Sequence, residues 1–126
     1  MIKILIDGEP IPAARPRFSG RRCYQPARNV KYRHKIQAAA SEAMKGAAPL
    51  NGEVAVTVKL YRRFKPTTRI FGDVDNHLKA IFDGLNKLVF CDDAQITKCT
   101  VEKFLDKARP RTEIEIWPRG ESFMCR

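Results

Sequence analysis

No stretch of this 126-residue chain approaches the roughly 20 consecutive apolar residues that span a bilayer, and Met1 to Pro10 lacks a signal-peptide pattern. No membrane association is expected, and the expected compartment is the cytoplasm. The 4 cysteines, Cys23, Cys91, Cys99 and Cys125, are widely spaced and form no CxxC pair. Structural zinc usually takes paired ligands close in sequence, so reduced thiols, buried or free, are expected instead. No segment repeats, none is of low complexity, and none reads as a linker between domains. An apolar content of 44% and a charged content of 30% describe a globular chain, and the length suits one domain.

Acid is the other scarcity. Lys and Arg number 24 against 14 Asp and Glu, a net charge of +10, which makes a polyanion the natural partner. Nucleic acid is favoured over an anionic membrane, because no strongly amphipathic basic helix carries a bulky apolar face. From Ile11 to Ser41 eight basic residues (Arg15, Arg17, Arg21, Arg22, Arg28, Lys31, Arg33, Lys35) meet no acid at all. A second acid-free segment, Tyr61 to Arg69, holds Arg62, Arg63, Lys65 and Arg69. Both segments are expected to contact phosphate. Composition alone does not separate an enzyme from a binder.

Ile2, Ile4 and Ile6 alternate with Lys3 and Leu5 and predict a first strand. Prolines and Gly20 make Ile11 to Ala27 a loop. Asn29 could cap a helix over about Val30 to Lys45, with Tyr32, Ile36, Ala39, Ala40, Ala43 and Met44 on one side. Tyr24 and Tyr32 could stack on bases or pack in the core. Val54, Val56, Val58 and Leu60 alternate with small and polar residues and mark the clearest strand, Glu53 to Leu60. A second helix is expected from Asp75 or Asn76 to about Leu88, with Gly84 inside it as a sign of close packing. Strands follow at Ile96 to Leu105 and Thr112 to Trp117, expected to form a hairpin across Asp106 to Arg109. The fold class is α/β in the α+β sense, a small mixed sheet of about four strands with two main helices.

Between Asp73 and Asp93 the charge reverses: five aspartates, Asp73, Asp75, Asp83, Asp92 and Asp93, face only Lys79 and Lys87. Clustered carboxylates repel unless a cation sits between them. Oxygen-only ligands favour Mg²⁺ or Mn²⁺ over Zn²⁺, and such a metal can polarise a phosphodiester. Lys79 falls one helical turn after Asp75, where it could stabilise phosphoryl charge. Asp92 and Asp93 emerge at the far end of the helix and reach Asp73 only if the next strand runs back. His77, alone at a helix start, reads as a surface residue rather than a base. Each part also has a bland reading. Asp75 can be a cap, Asp75–Lys79 and Asp83–Lys87 surface ion pairs, and Asp92–Asp93 a turn.

The order of these parts is more specific. D-V-D-N-H-L-K (Asp73 to Lys79), F-D-G-L (Phe82 to Leu85) and D-D-A-Q (Asp92 to Gln95) resemble the RusA family of Holliday junction resolvases, common in prophages. Pro12 to Phe18, P-A-A-R-P-R-F, is similar to segments in family members. The resemblance covers 1–118, a single nuclease domain, and leaves 119–126 as a tail expected to be flexible. It implies a homodimer that binds four-way DNA junctions and makes paired symmetric nicks with Mg²⁺ or Mn²⁺. It also carries the essential carboxylates to Asp73, Asp75 and Asp93, places Asp92 as a further metal-side acid, and carries the essential lysine to Lys79. Two other readings stand beside it: a non-catalytic nucleic-acid-binding protein with structural aspartates, and a nuclease for other branched substrates or RNA.

Overall fold

In the computed structural model the described residues are 1–14, 17–19, 22–24 and 26–119, with only the backbone described for 17–19 and 22–24. The alternation at Val54, Val56, Val58 and Leu60 produces β4 (Glu53–Arg62), whose four apolar side chains are fully buried on one face. β4 is central. It pairs antiparallel with β6 (Arg111–Arg119) on one side and parallel with β5 (Ile96–Leu105) on the other. β1 (Ile2–Asp7) pairs antiparallel with β6, so the order is β1-β6-β4-β5. A four-stranded mixed sheet with two helices is therefore present as expected.

The expected β5–β6 hairpin does not form. β6 buries Thr112, Ile114 and Ile116 and takes buried neighbours on both flanks, Ile4 and Ile6 in β1, Val56 and Val58 in β4. β5 is more polar and is left at the edge of the sheet. The 106–110 connection instead passes the end of β4, where Asp106 N donates to Arg62 O at 2.7 Å. The Asp106 carboxylate accepts the backbone N–H of Ala108 and Arg109, which shapes the turn.

α1 (Ala27–Met44) begins at Pro26, before the expected start. Proline suits a helix entry because it has no N–H to leave unpaired. Asn29 is thus not the cap; its Nδ2 donates to Pro12 O at 2.9 Å. α2 (Val74–Leu85) stops short of Leu88. The apolar pattern continues past its end because Val89 and Phe90 enter the core from a tight arch, held by Lys87 N to Phe90 O and Leu50 N to Val89 O, both 2.7 Å. The segment read as a loop also contains a small antiparallel hairpin, β2 (Arg17–Ser19) with β3 (Arg22–Tyr24).

Both helices contribute to the core on the face of Ile4, Ile6, Val54 to Leu60 and Ile114. Tyr32, Ile36, Ala40 and Met44 come from α1, and Ile81 and Leu85 from α2. Tyr32 is a core residue: its hydroxyl meets Thr112 Oγ1 at 2.7 Å, and burial raises its pKa to about 12. Cys91 is disulfide-bonded, contrary to the expected reduced thiols, whereas Cys99 is free and exposed. Among the described residues no helix is long and apolar enough to cross a membrane. The tail read as flexible, 120–126, lies outside the described residues.

The close packing expected at Gly84 is present. A Cβ there would lie 2.6 Å from Ile36 Cγ2 and 2.9 Å from Ile36 Cβ. Gly84→Ala should therefore lower stability by about 1–3 kcal/mol despite alanine's better helix propensity. The check is a lower urea midpoint at unchanged slope.

Candidate active site

β4 ends at Arg62, which is only 7% exposed. Its Nη1 donates to Ile70 O at 3.1 Å and Phe71 O at 2.8 Å, and its Nε lies 3.5 Å from Glu9 Oε2. The guanidinium also lies over the Phe64 ring, 5.0 Å from its centroid. Burial lowers its pKa, and the Glu9 carboxylate opposes that shift. Arg62 is thus committed to folding the 63–72 loop, and the expected phosphate contact does not fit its inward position. Arg63 is different. Its side chain is 62% exposed and pairs with Glu9 Oε1 at 3.1 Å.

The loop reaches α2 through Gly72, whose φ of +97° admits few other residues. A Cβ there would lie 2.9 Å from His77 Nε2 and 3.0 Å from Pro12 Cγ. His77 is buried, not a surface residue as expected, because its Nε2 donates to Phe71 O at 2.6 Å. Burial outweighs that hydrogen bond and lowers its pKa to about 4, so the ring is neutral near pH 7. His77 and Arg62 grip the same carbonyl and fix where the helix begins.

The outcome is an exposed acidic helix start. Asp73 is the N-cap residue with extended backbone, yet its side chain makes no capping bond. Asp75 lies in the first turn and Lys79 one turn later; all three are exposed. Among the described residues no side-chain hydrogen bond or ion pair engages any of them, so the ordinary Asp75–Lys79 surface pair is not formed. The helix dipole favours both acids at this end without neutralising them.

Basic residues gather beside this end. Asn29 Nδ2 holds Pro12 O, and Ala13 N donates to Asn76 O at 2.9 Å, so one short segment ties the starts of α1 and α2 together. Arg28, Lys31 and Lys35 are exposed on α1, and Lys35 Nζ donates to Asp7 O. Lys65 and Arg69 are exposed in the loop before α2. Arg33, Asn29, Lys79 and Asp83 line a cavity of about 100 Å³ between the helices. Asp83, to which the resemblance assigns no role, therefore shares a wall with Lys79. Of the other residues expected to touch phosphate, Arg15 and Arg21 lie outside the described residues, as do the side chains of Arg17 and Arg22.

Asp92 and Asp93 are placed by a residue whose role sequence reasoning missed. Gln95 Oε1 accepts Cys91 N at 2.8 Å and Asp92 N at 3.0 Å. Its Nε2 donates to Leu50 O at 2.9 Å and Gly52 O at 2.8 Å. One amide thus clips the acid pair to the entry of β4, which explains why glutamine suits D-D-A-Q. Glutamate would lack both donors. Partial desolvation, then the hydrogen bond and charge of Asp92, then the charge of Asp83, raise the pKa of Asp93.

The two acid groups do not meet within one chain. Asp73 lies beyond the C-terminal end of β4, where Arg62 holds Phe71. Asp92 and Asp93 lie at its N-terminal end, beside Leu50 and Gly52. α2 runs between them, a separation on the order of 20 Å at 1.5 Å per helical residue. The strand after the helix does not bring the acids back, because β5 starts beside the start of β4. Among the described residues no three His, Cys, Asp or Glu side chains are grouped to hold a metal. The donors suit a hard cation, but a single chain does not assemble them into one centre.

The model for the family "Endodeoxyribonuclease RusA" matches residues 7–117. The chain belongs to the RusA family. RusA proteins are Holliday junction resolvase endonucleases, and that is the activity of this chain. Family nucleases depend on a divalent metal in general. The chain is also 30% identical over 138 aligned positions to "Uncharacterized protein YqaN" of Bacillus subtilis (strain 168), covering 91% of this chain and 94% of that protein.

Two outcomes follow from the buried polar residues. Gln95→Ala should cost about 1–3 kcal/mol in chemical denaturation and reduce junction nicking, because Asp92 loses its clip. For His77, the unfolded ring binds a proton below about pH 6.5, whereas the folded ring does not until about pH 4. Protons in that interval favour the unfolded chain, so stability should fall as pH drops through it, by up to about 3 kcal/mol. Urea midpoints measured from pH 7 to pH 4 should decline less steeply in His77→Gln.

Proposed function

We propose that this RusA protein is a Mg²⁺- or Mn²⁺-dependent resolvase that acts as a homodimer on four-way junction DNA. Asp73, Asp75 and Asp93 are its metal-side carboxylates, Asp92 assists them, and Lys79 faces the scissile phosphate. The observation that carries this reading is that Asp73 and Asp75 are exposed and, among the described residues, unpartnered in a chain of net charge +10. Acids that hold no structural contact among the described residues are free to serve as ligands. Lys79, on the exposed face one turn after Asp75, can hold a phosphoryl oxygen and stabilise its charge. Oxygen donors favour Mg²⁺ or Mn²⁺, which supply charge stabilisation and an activated water when bound.

Substrate binding falls to the basic residues at the same end: Arg28, Lys31, Arg33 and Lys35 of α1, with Arg63, Lys65 and Arg69 of the loop, joined by Arg15, Arg17, Arg21 and Arg22. Backbone contacts of this kind read junction shape rather than base sequence. A two-fold dimer matches the near two-fold symmetry of the junction and sets two identical sites on opposed strands. The cytoplasm of a cell or lysogen carrying prophage DNA is the compartment where such a substrate arises.

With Mn²⁺ or Mg²⁺ and a synthetic four-way junction, Asp73→Asn should reduce nicking on the order of 100-fold or more while binding is kept. Wild-type protein that binds the junction without cutting it would sink the reading, as would equal cleavage of junction, flap, linear duplex and RNA. The triple change Arg63→Ala, Lys65→Ala, Arg69→Ala should weaken binding and lower the salt slope by about 0.9 for each phosphate no longer neutralised. An unchanged slope removes the loop from the interface.

A further inference from the structure

We infer that the cavity between α1 and α2 is a nucleobase pocket, which receives one base of the junction, extruded beside the phosphate that Lys79 faces. The inference rests on the proposed role of Lys79 and adds a second contact to the same nucleotide. Ile11, Ala13, Ala14 and Ala80 give the cavity an apolar lining. Three of these four are alanines, so the space stays open where longer side chains would fill it. Half-buried Arg33 and the exposed Lys79 and Asp83 line the same cavity. Among the described residues none of the three makes a side-chain hydrogen bond or ion pair.

Two cations and an acid that line one cavity without pairing leave room for a ligand carrying both donors and acceptors. A phosphate offers acceptors alone, and Asp83 repels it. A divalent cation finds one carboxylate against two positive charges. The edge of a base has both kinds of group: an N–H for Asp83, and a ring nitrogen or carbonyl oxygen for Arg33. The faces of a base are apolar and suit the alanine and isoleucine walls. At about 100 Å³ the cavity has space for several water molecules, which admits a flat ring and leaves sugar and phosphate outside, at Lys79.

Extruding a base costs its stacking and pairing, and the cost is least where these are already weakened. In linear duplex each base pair is stacked on both sides. At the branch of a four-way junction the strands exchange and that stack is interrupted. A pocket that must be filled for Lys79 to meet the phosphate therefore favours nicking at the branch over nicking in duplex.

The test uses a synthetic four-way junction with 2-aminopurine placed in turn at each nucleotide flanking the exchange point. This base is dim when stacked and bright when unstacked. Binding of wild-type protein without divalent metal should brighten it at one position. Asp83→Ala, at an exposed site, and the cavity-filling Ala14→Leu and Ala80→Leu should still bind the junction but brighten the probe less. With Mn²⁺, a junction made abasic at that position should be nicked more slowly by wild type, on the order of 10-fold. No brightening by wild type overturns the inference, as does equal brightening by Asp83→Ala and by whichever leucine variants fold. Undiminished nicking of the abasic junction overturns it too. If wild-type protein brightens the probe, the variants do not, and nothing is cut with Mn²⁺, the pocket stands and the nuclease reading fails.

Discussion

The parallel pairing of β4 with β5 governs the rest of the molecule. Parallel neighbours require the chain to return the length of the sheet between them, and α2 is that return. The helix therefore starts where β4 ends and ends where β4 begins. Acids that bracket it in sequence are set at opposite ends of the fold. A connection that merely turned the chain would have placed Asp73 and Asp93 side by side in one subunit. This crossover keeps them apart within the chain.

Polar groups buried at the two ends of α2 convert this topology into fixed positions. Arg62 and His77 share the carbonyl of Phe71, and Gly72 leaves the room they need. Gln95 fixes the other end with four hydrogen bonds to backbone atoms. None of these side chains reaches the substrate in this account. They are positioning residues, and each satisfies backbone groups that would otherwise be stranded beside the core. Among the described residues the exposed acids Asp73 and Asp75 are unpaired, because their placement does not depend on their own interactions.

Much of this was readable from residue order. Alternation at Val54 to Leu60 and at Ile2 to Ile6 marked β4 and β1, and the period from Leu78 to Leu85 marked α2. Gly84 signalled the close crossing of the helices. The strand neighbours were not readable: β5 and β6 adjoin in sequence, but β6 is buried between β1 and β4. Arg62 and Arg63 look alike as adjacent cations, and only the β4 pleat sends one inward and the other out. His77 resembled a surface histidine because its partner, Phe71 O, is presented by a loop. Gln95 had a motif position but no visible role, since Leu50 and Gly52 lie far from it in sequence.

The proposal that this chain acts as a homodimer on junction DNA is tested most directly by dilution. Junction nicking per milligram should be measured with Mn²⁺ across a concentration series, with sedimentation giving the monomer fraction at each point. Specific activity is expected to fall in step with the dimer fraction and vanish in the monomer range. Undiminished specific activity where the protein sediments as a monomer would contradict the account.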